Sequence, residues 1–129
     1  MVIDSSALIA ILQNEPESLQ SRNAMLADRM RVGSTPTLVE TSIVILARQG
    51  EQGLQEFHAF LEAAQIGKIA FDEAQAEVVL DAFRRFGKGR HEAALNLGDC
   101  FSYALAKALN QPLLFKGSDF IHTDVLRVN

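Results

Sequence analysis

Met1-Val2-Ile3-Asp4-Ser5-Ser6-Ala7-Leu8 is the stretch on which the fold turns. Three apolar residues run straight into an aspartate, which reads as a short buried strand that ends in a charge. Ser5 and Ser6 then offer a cap to a helix built on the apolar run Ala7 to Leu12. In an open parallel sheet, strands covered on both faces are continuously apolar, and ligands sit outside their carboxyl ends. Asp4 is therefore expected at the mouth of a sheet, on its most buried strand.

Working outward, helices are expected over residues 5–14 and 17–30, the first broken by Pro16. A short strand follows at 32–35, closed by Pro36, and then a helix at 37–48. Gly50 and Gly53 separate it from an amphipathic helix ending near Ala64. A third strand is expected around Ile66 to Ala70. Asp72 caps a helix that runs to Phe86 and stops at Gly87, and Asn96 caps an almost wholly apolar one reaching Leu109. Strands at 113–115 and 125–128 complete the chain. Strands alternating with helices give an α/β fold, a three-layer α/β/α sandwich with a mainly parallel central sheet of four to five strands.

The length, 129 residues, suits one domain over residues 1–129, able to bury roughly 65–70% of its unfolded surface. A hydrophobic content of 48% excludes a disordered chain. The longest apolar run, Ala7 to Leu12, falls far short of the ~20 residues of a membrane span. No secretory leader is expected, and a single cysteine, Cys100, fits a reducing cytoplasm. His58, His91 and His122 are scattered, without zinc spacing. The net charge of −4 argues against a protein that coats polyanions generally. Even so, Arg84, Arg85, Lys88 and Arg90 crowd one short stretch and could grip phosphate locally.

Four acids fall just beyond strand ends or in the first turn of a following helix: Asp4, Glu40, Asp99 and Asp119. Each has an architectural explanation. Asp4 can start a helix, Thr37-Leu38-Val39-Glu40 and Asn96-Leu97-Gly98-Asp99 can be capping boxes, and Gly117-Ser118-Asp119 is turn chemistry. Together they resist that account, because unpaired carboxylates beside Val2-Ile3 and in an apolar helix are costly. Two of them about 4 Å apart would repel by roughly 4 kcal/mol at an effective dielectric near 20. Such a cluster either protonates or holds a hard cation, and oxygen ligands alone favour Mg²⁺ or Mn²⁺ over zinc. Sites of this kind hydrolyse phosphate esters.

At these residues the sequence resembles the PIN-domain proteins, in particular the VapC-type toxin ribonucleases of type II toxin–antitoxin pairs. The blocks that carry the resemblance are spread over the whole chain. They are Val2 to Leu8, Glu40-Thr41, Arg85 to His91, Asn96 to Lys107, and Leu113 to Phe120 followed by Thr123-Asp124. The resemblance implies a PIN-like fold in which Asp4, Glu40, Asp99 and Asp119 form the catalytic pocket and bind Mg²⁺ or Mn²⁺. It also implies that Ser6 supports the first aspartate and that Asp124 stands near the pocket as an outer acid. Ser118 departs from the Asn or Glu common at its position. The family further implies an endoribonuclease acting on RNA, a homodimer, and inhibition by a VapB-type antitoxin that presents an Arg or Lys to the acids.

Arg85, Lys88, Arg90 and Lys116 are the candidate RNA contacts. Cys100 reads as a small buried apolar residue, and Phe57, Phe60, Phe83 and Phe86 as core or dimer-face residues. A haloacid-dehalogenase-like phosphatase would need an aspartate at position 6, which is Ser. A P-loop, a dinucleotide glycine fingerprint and a nucleophile elbow are all absent. The alternative function is a catalytically silent PIN-like module that binds RNA or antitoxin and acts as a co-repressor.

Overall fold

A computed structural model describes residues 1–128 of the chain. In order, the elements are β1 (Val2–Ile3), α1 (Ser5–Leu12), α2 (Ser18–Ala27), β2 (Val32–Ser34), α3 (Thr35–Ala63), β3 (Gly67–Ile69), α4 (Glu73–Phe86), α5 (Leu97–Leu109) and β4 (Leu113–Leu114). A 3₁₀ turn over Asp119–His122 follows. The four strands form one sheet in the order β3-β2-β1-β4, parallel at every pairing. Val2 aligns with Val32 on one side and Leu113 on the other, so β1 is interior, as its unbroken apolar run requires.

Successive β1 side chains enter opposite halves of the core. Ile3 packs with Leu8, Ile11, Leu38, Ile45 and Phe57 on the α1–α3 side, and Val2 with Ala82, Phe86, Leu95, Tyr103 and Leu105 on the α4–α5 side. This period-two alternation makes the strand the seam of an α/β/α sandwich.

Two local expectations change and one holds. Pro36 does not close a strand. It lies in the first turn of α3, where its missing N–H costs nothing, so that helix begins at Thr35. The expected break after α3's first half is present: within Thr35–Ala63 the helix is interrupted at Gly50, whose φ 70°, ψ −166° is non-helical and open to glycine, and an amphipathic helical half follows to Ala63. The strand expected at 125–128 contributes a single parallel bridge, Arg127 to Leu113. Because β4 is itself only two residues long, it offers little edge to pair with, and the sheet has four strands. No helix among the described residues is long and apolar enough to cross a membrane.

The phenylalanines separate by burial: Phe57 is 0% exposed and Phe83 38%. Phe57→Ala should therefore cost about 3–5 kcal/mol in urea unfolding, and Phe83→Ala about 1 kcal/mol or less. Similar losses at both positions would contradict this packing.

Candidate active site

Asp4 is the first residue beyond β1 and only 2% exposed. An ionised carboxylate withdrawn from water this far needs donors on both oxygens. Oδ2 accepts from the Ser6 backbone N–H at 3.0 Å, which caps α1, and from Ser6 Oγ at 2.6 Å. Oδ1 accepts from Ser102 Oγ, on α5, at 2.5 Å. Ser6 Oγ in turn accepts the Lys116 N–H at 3.0 Å, which ties the exit of β4 to the same carboxylate. Ser6 thus links the ends of β1 and β4 through one hydroxyl.

The capping box expected at Glu40 does not form. With α3 starting at Thr35, Thr37 is already inside the helix, and its carbonyl accepts from Thr41 Oγ1 at 2.9 Å. Glu40, released from the backbone, is exposed and accepts from Ser5 Oγ at 2.9 Å. Its carboxylate lies against Gly98, where a Cβ would collide with it. Glycine at 98 is what lets the acid of α3 approach the start of α5, next to Asp99.

Asp99 does form the expected box: Asn96 Oδ1 accepts the Asp99 N–H at 2.8 Å, and Asp99 Oδ2 accepts the Asn96 N–H at 3.0 Å. Capping does not exhaust it. Burial pushes its carboxyl up to about 6; the Asn96 hydrogen bond opposes this, while the charges of Asp4, Asp119 and Glu40 each add to it. Asp119 opens the 3₁₀ turn beyond β4 with its side chain exposed. The three other acids, distant in sequence, thus all act on Asp99. Among the described residues, no three of these carboxylates stand close enough together to cage a cation.

Among the described residues, no side-chain hydrogen bond or ion pair joins the remaining candidates to these four acids. Asp124 accepts from Tyr103 Oη at 2.6 Å, Lys107 Nζ at 3.3 Å and Arg85 at 3.4 Å, a cluster on the α4–α5 side. Arg85 also faces Asp81 at 3.6 Å and stacks over the Phe86 ring at 4.7 Å. Lys116 Nζ is held by Glu15 at 2.5 Å and Glu17 at 3.7 Å. Lys88 and Arg90 are exposed on a loop closed by the Gly87–Leu95 bridge, just before Asn96 and Asp99. Cys100 is fully buried, and burial beside the Asp99 charge pushes its thiol up to about 11, the signature of an inert residue.

Ser102 and Thr37 are not among the sequence candidates. The signal for Ser102 is a hydroxyl within an otherwise largely apolar helix, one turn from Asp99.

Known proteins resemble this chain along its full length. The family model for the PIN domain matches residues 1–126. Ribonuclease VapC of Mycolicibacterium smegmatis is 51% identical over 129 residues, covering 100% of both chains. Among solved structures, VapC20 of Mycobacterium tuberculosis, a sarcin-ricin-loop-cleaving toxin, superposes with a TM-score of 0.79 at 14% identity, covering 98% of this chain and 97% of that one. VapBC2 of Rickettsia felis, bound to a DNA fragment from its promoter, gives 0.78 at 13%, with coverage of 99% and 96%. At such identities the two structures speak for the fold alone, whereas the family model spans residues 1–126 and the VapC relative the whole sequence. This chain belongs to the PIN-domain family, among its VapC ribonucleases.

Proposed function

We propose that this protein is a divalent-metal-dependent endoribonuclease, the toxin of a type II toxin–antitoxin pair, hydrolysing RNA phosphodiesters at Asp4, Glu40, Asp99 and Asp119. The observation that carries this reading is the topology, which brings the end of β1, the start of α3, the start of α5 and the segment after β4 to one edge of the sheet, with the Glu40 carboxylate against Gly98 and the Lys116 N–H on Ser6 beside Asp4. A protein that only bound RNA would gain nothing from setting four carboxylates along the carboxyl edge of its sheet, where they repel a polyanion. Their donors are all hard oxygens, which suits Mg²⁺ or Mn²⁺. Asp4, Asp99 and Asp119 would hold the ion, with Glu40 beside them as a further ligand or to orient the attacking water. Such a cation, when bound, supplies a Lewis acid that lowers the pKa of water and screens the phosphate charge. Ser5 fixes one oxygen of Glu40. The burial of Asp4 keeps bulk water from its carboxylate, which strengthens every charge interaction there.

Lys88 and Arg90 are the better RNA contacts, since Arg85 and Lys116 are engaged by acids of the protein itself. An antitoxin of the VapB type is the proposed partner. The exposed stripe Val39, Ile43 and Leu46 on α3 supports a homodimer. Action in the cytoplasm follows from the proposed substrate.

Asp4→Asn and Asp99→Asn should each lower Mn²⁺-dependent cleavage of total cellular RNA by at least about 100-fold. Asparagine keeps an acceptor oxygen for the cap, so both variants should remain folded by circular dichroism. Full cleavage by either would overturn the assignment, and RNA binding without cleavage by the unaltered protein would favour the silent module. Replacing Lys88 and Arg90 together with Ala should flatten the salt dependence of RNA binding by about 1.5 in log–log slope; an unchanged slope would exclude them.

The raised Asp99 carboxyl sets a pH dependence. Its folded value lies above its unfolded one, so the folded state binds the proton more tightly. Metal-free stability should therefore fall as pH rises from about 4 to about 6. Asp99→Asn should remove that part of the slope in thermal melts recorded across this window.

A further inference from the structure

We infer that Thr37 and Ser102 are positioning residues, a directional hydroxyl chain that holds Asp4 Oδ1 ready for the cation; the inference rests on the metal-dependent reading above. Hydrogen-bond capacity decides which oxygen is free. A carboxylate oxygen has two lone-pair sites. Both sites on Asp4 Oδ2 are taken by Ser6, through its N–H and its hydroxyl. Oδ1 accepts one bond, from Ser102, and keeps one site. Oδ1 is therefore the oxygen of this buried residue left to reach an ion.

Ser102 has one hydroxyl hydrogen, and the 2.5 Å contact commits it to Asp4 Oδ1. The 3.2 Å contact between Ser102 Oγ and Thr37 Oγ1 then fixes its own direction, with Thr37 donating. The chain runs from Thr37 Oγ1–H to Ser102 Oγ–H to Asp4 Oδ1, each bond polarising the next. All three side chains are 2% exposed or less, so water does not replace a missing donor cheaply.

The placement of the two hydroxyls follows from helical spacing. Thr37 lies three residues before Glu40 on α3, and Ser102 three residues after Asp99 on α5, so each hydroxyl shares a helix face with an acid. The chain joins α3, α5 and the end of β1, the three elements that carry Glu40, Asp99 and Asp4. It also pins a carboxylate torsion that is otherwise soft, because Ser6 grips one oxygen and Ser102 the other.

The test is Mn²⁺ binding to the full-length protein, by calorimetry and by the electron paramagnetic resonance of the free ion. Ser102→Ala should weaken Mn²⁺ at least about 10-fold. Thr37→Val, which keeps the side-chain shape, should weaken it by a smaller factor. Thr37→Val added to Ser102→Ala should change nothing further, because the chain is already cut. Unchanged or tighter binding in Ser102→Ala, or fully additive losses in the double variant, would overturn the inference while leaving the metal site standing. Absence of Mn²⁺ binding by the unaltered protein would overturn both.

Discussion

A carboxylate removed from water at the end of a central strand is the constraint around which this molecule is arranged. Asp4 is kept there by hydroxyls from two directions, Ser6 on its own helix and Ser102 from α5. Strand and helices must meet at one register for those donors to arrive, and the alternation of Val2 and Ile3 between two cores fixes that register. The strand that places the acid is thus also the seam of the fold. Stability and site geometry share one origin.

The acids do two jobs at once. Asp4 caps α1 and Asp99 closes the box that starts α5, so each uses oxygen on its own backbone while facing the other charges. Carboxylates are favoured at helix N-termini by the macrodipole. Starting helices at the carboxyl edge of a parallel sheet therefore gathers negative charge without separate scaffolding. Glu40 differs: it is spared any capping duty, and the absence of a side chain at Gly98 gives it room beside α5. Asp119 reaches the same edge on a segment anchored at both ends, by Lys116 N–H on Ser6 and by Asp124 against Tyr103, Lys107 and Arg85. Asp124 holds that segment against α4 and α5.

The basic residues show how sequence proximity misleads. Arg84, Arg85, Lys88 and Arg90 look like one patch along the chain. Helical geometry instead turns Arg85 toward Asp81, one turn back, and toward Asp124 from the far end of the protein. Lys88 and Arg90 fall beyond Gly87, past the end of α4, and escape that pairing.

What the sequence determined by itself is whatever local periodicity and chemistry encode: the apolar strand ending in Asp4, the Asn96 box, the caps at Asp72 and Gly87, the alternation of strands and helices, and the family. It also identified four acids that resist a purely architectural account. Tertiary structure alone decided which of their oxygens remain free, that Pro36 opens a helix rather than closing a strand, and that the last expected strand shrinks to one bridge. It alone joined Thr37 to Ser102 and released Glu40 from its box. The physical reason is that hydrogen-bond partnership depends on distances across the core between residues far apart in the chain, and no periodicity along the chain records them.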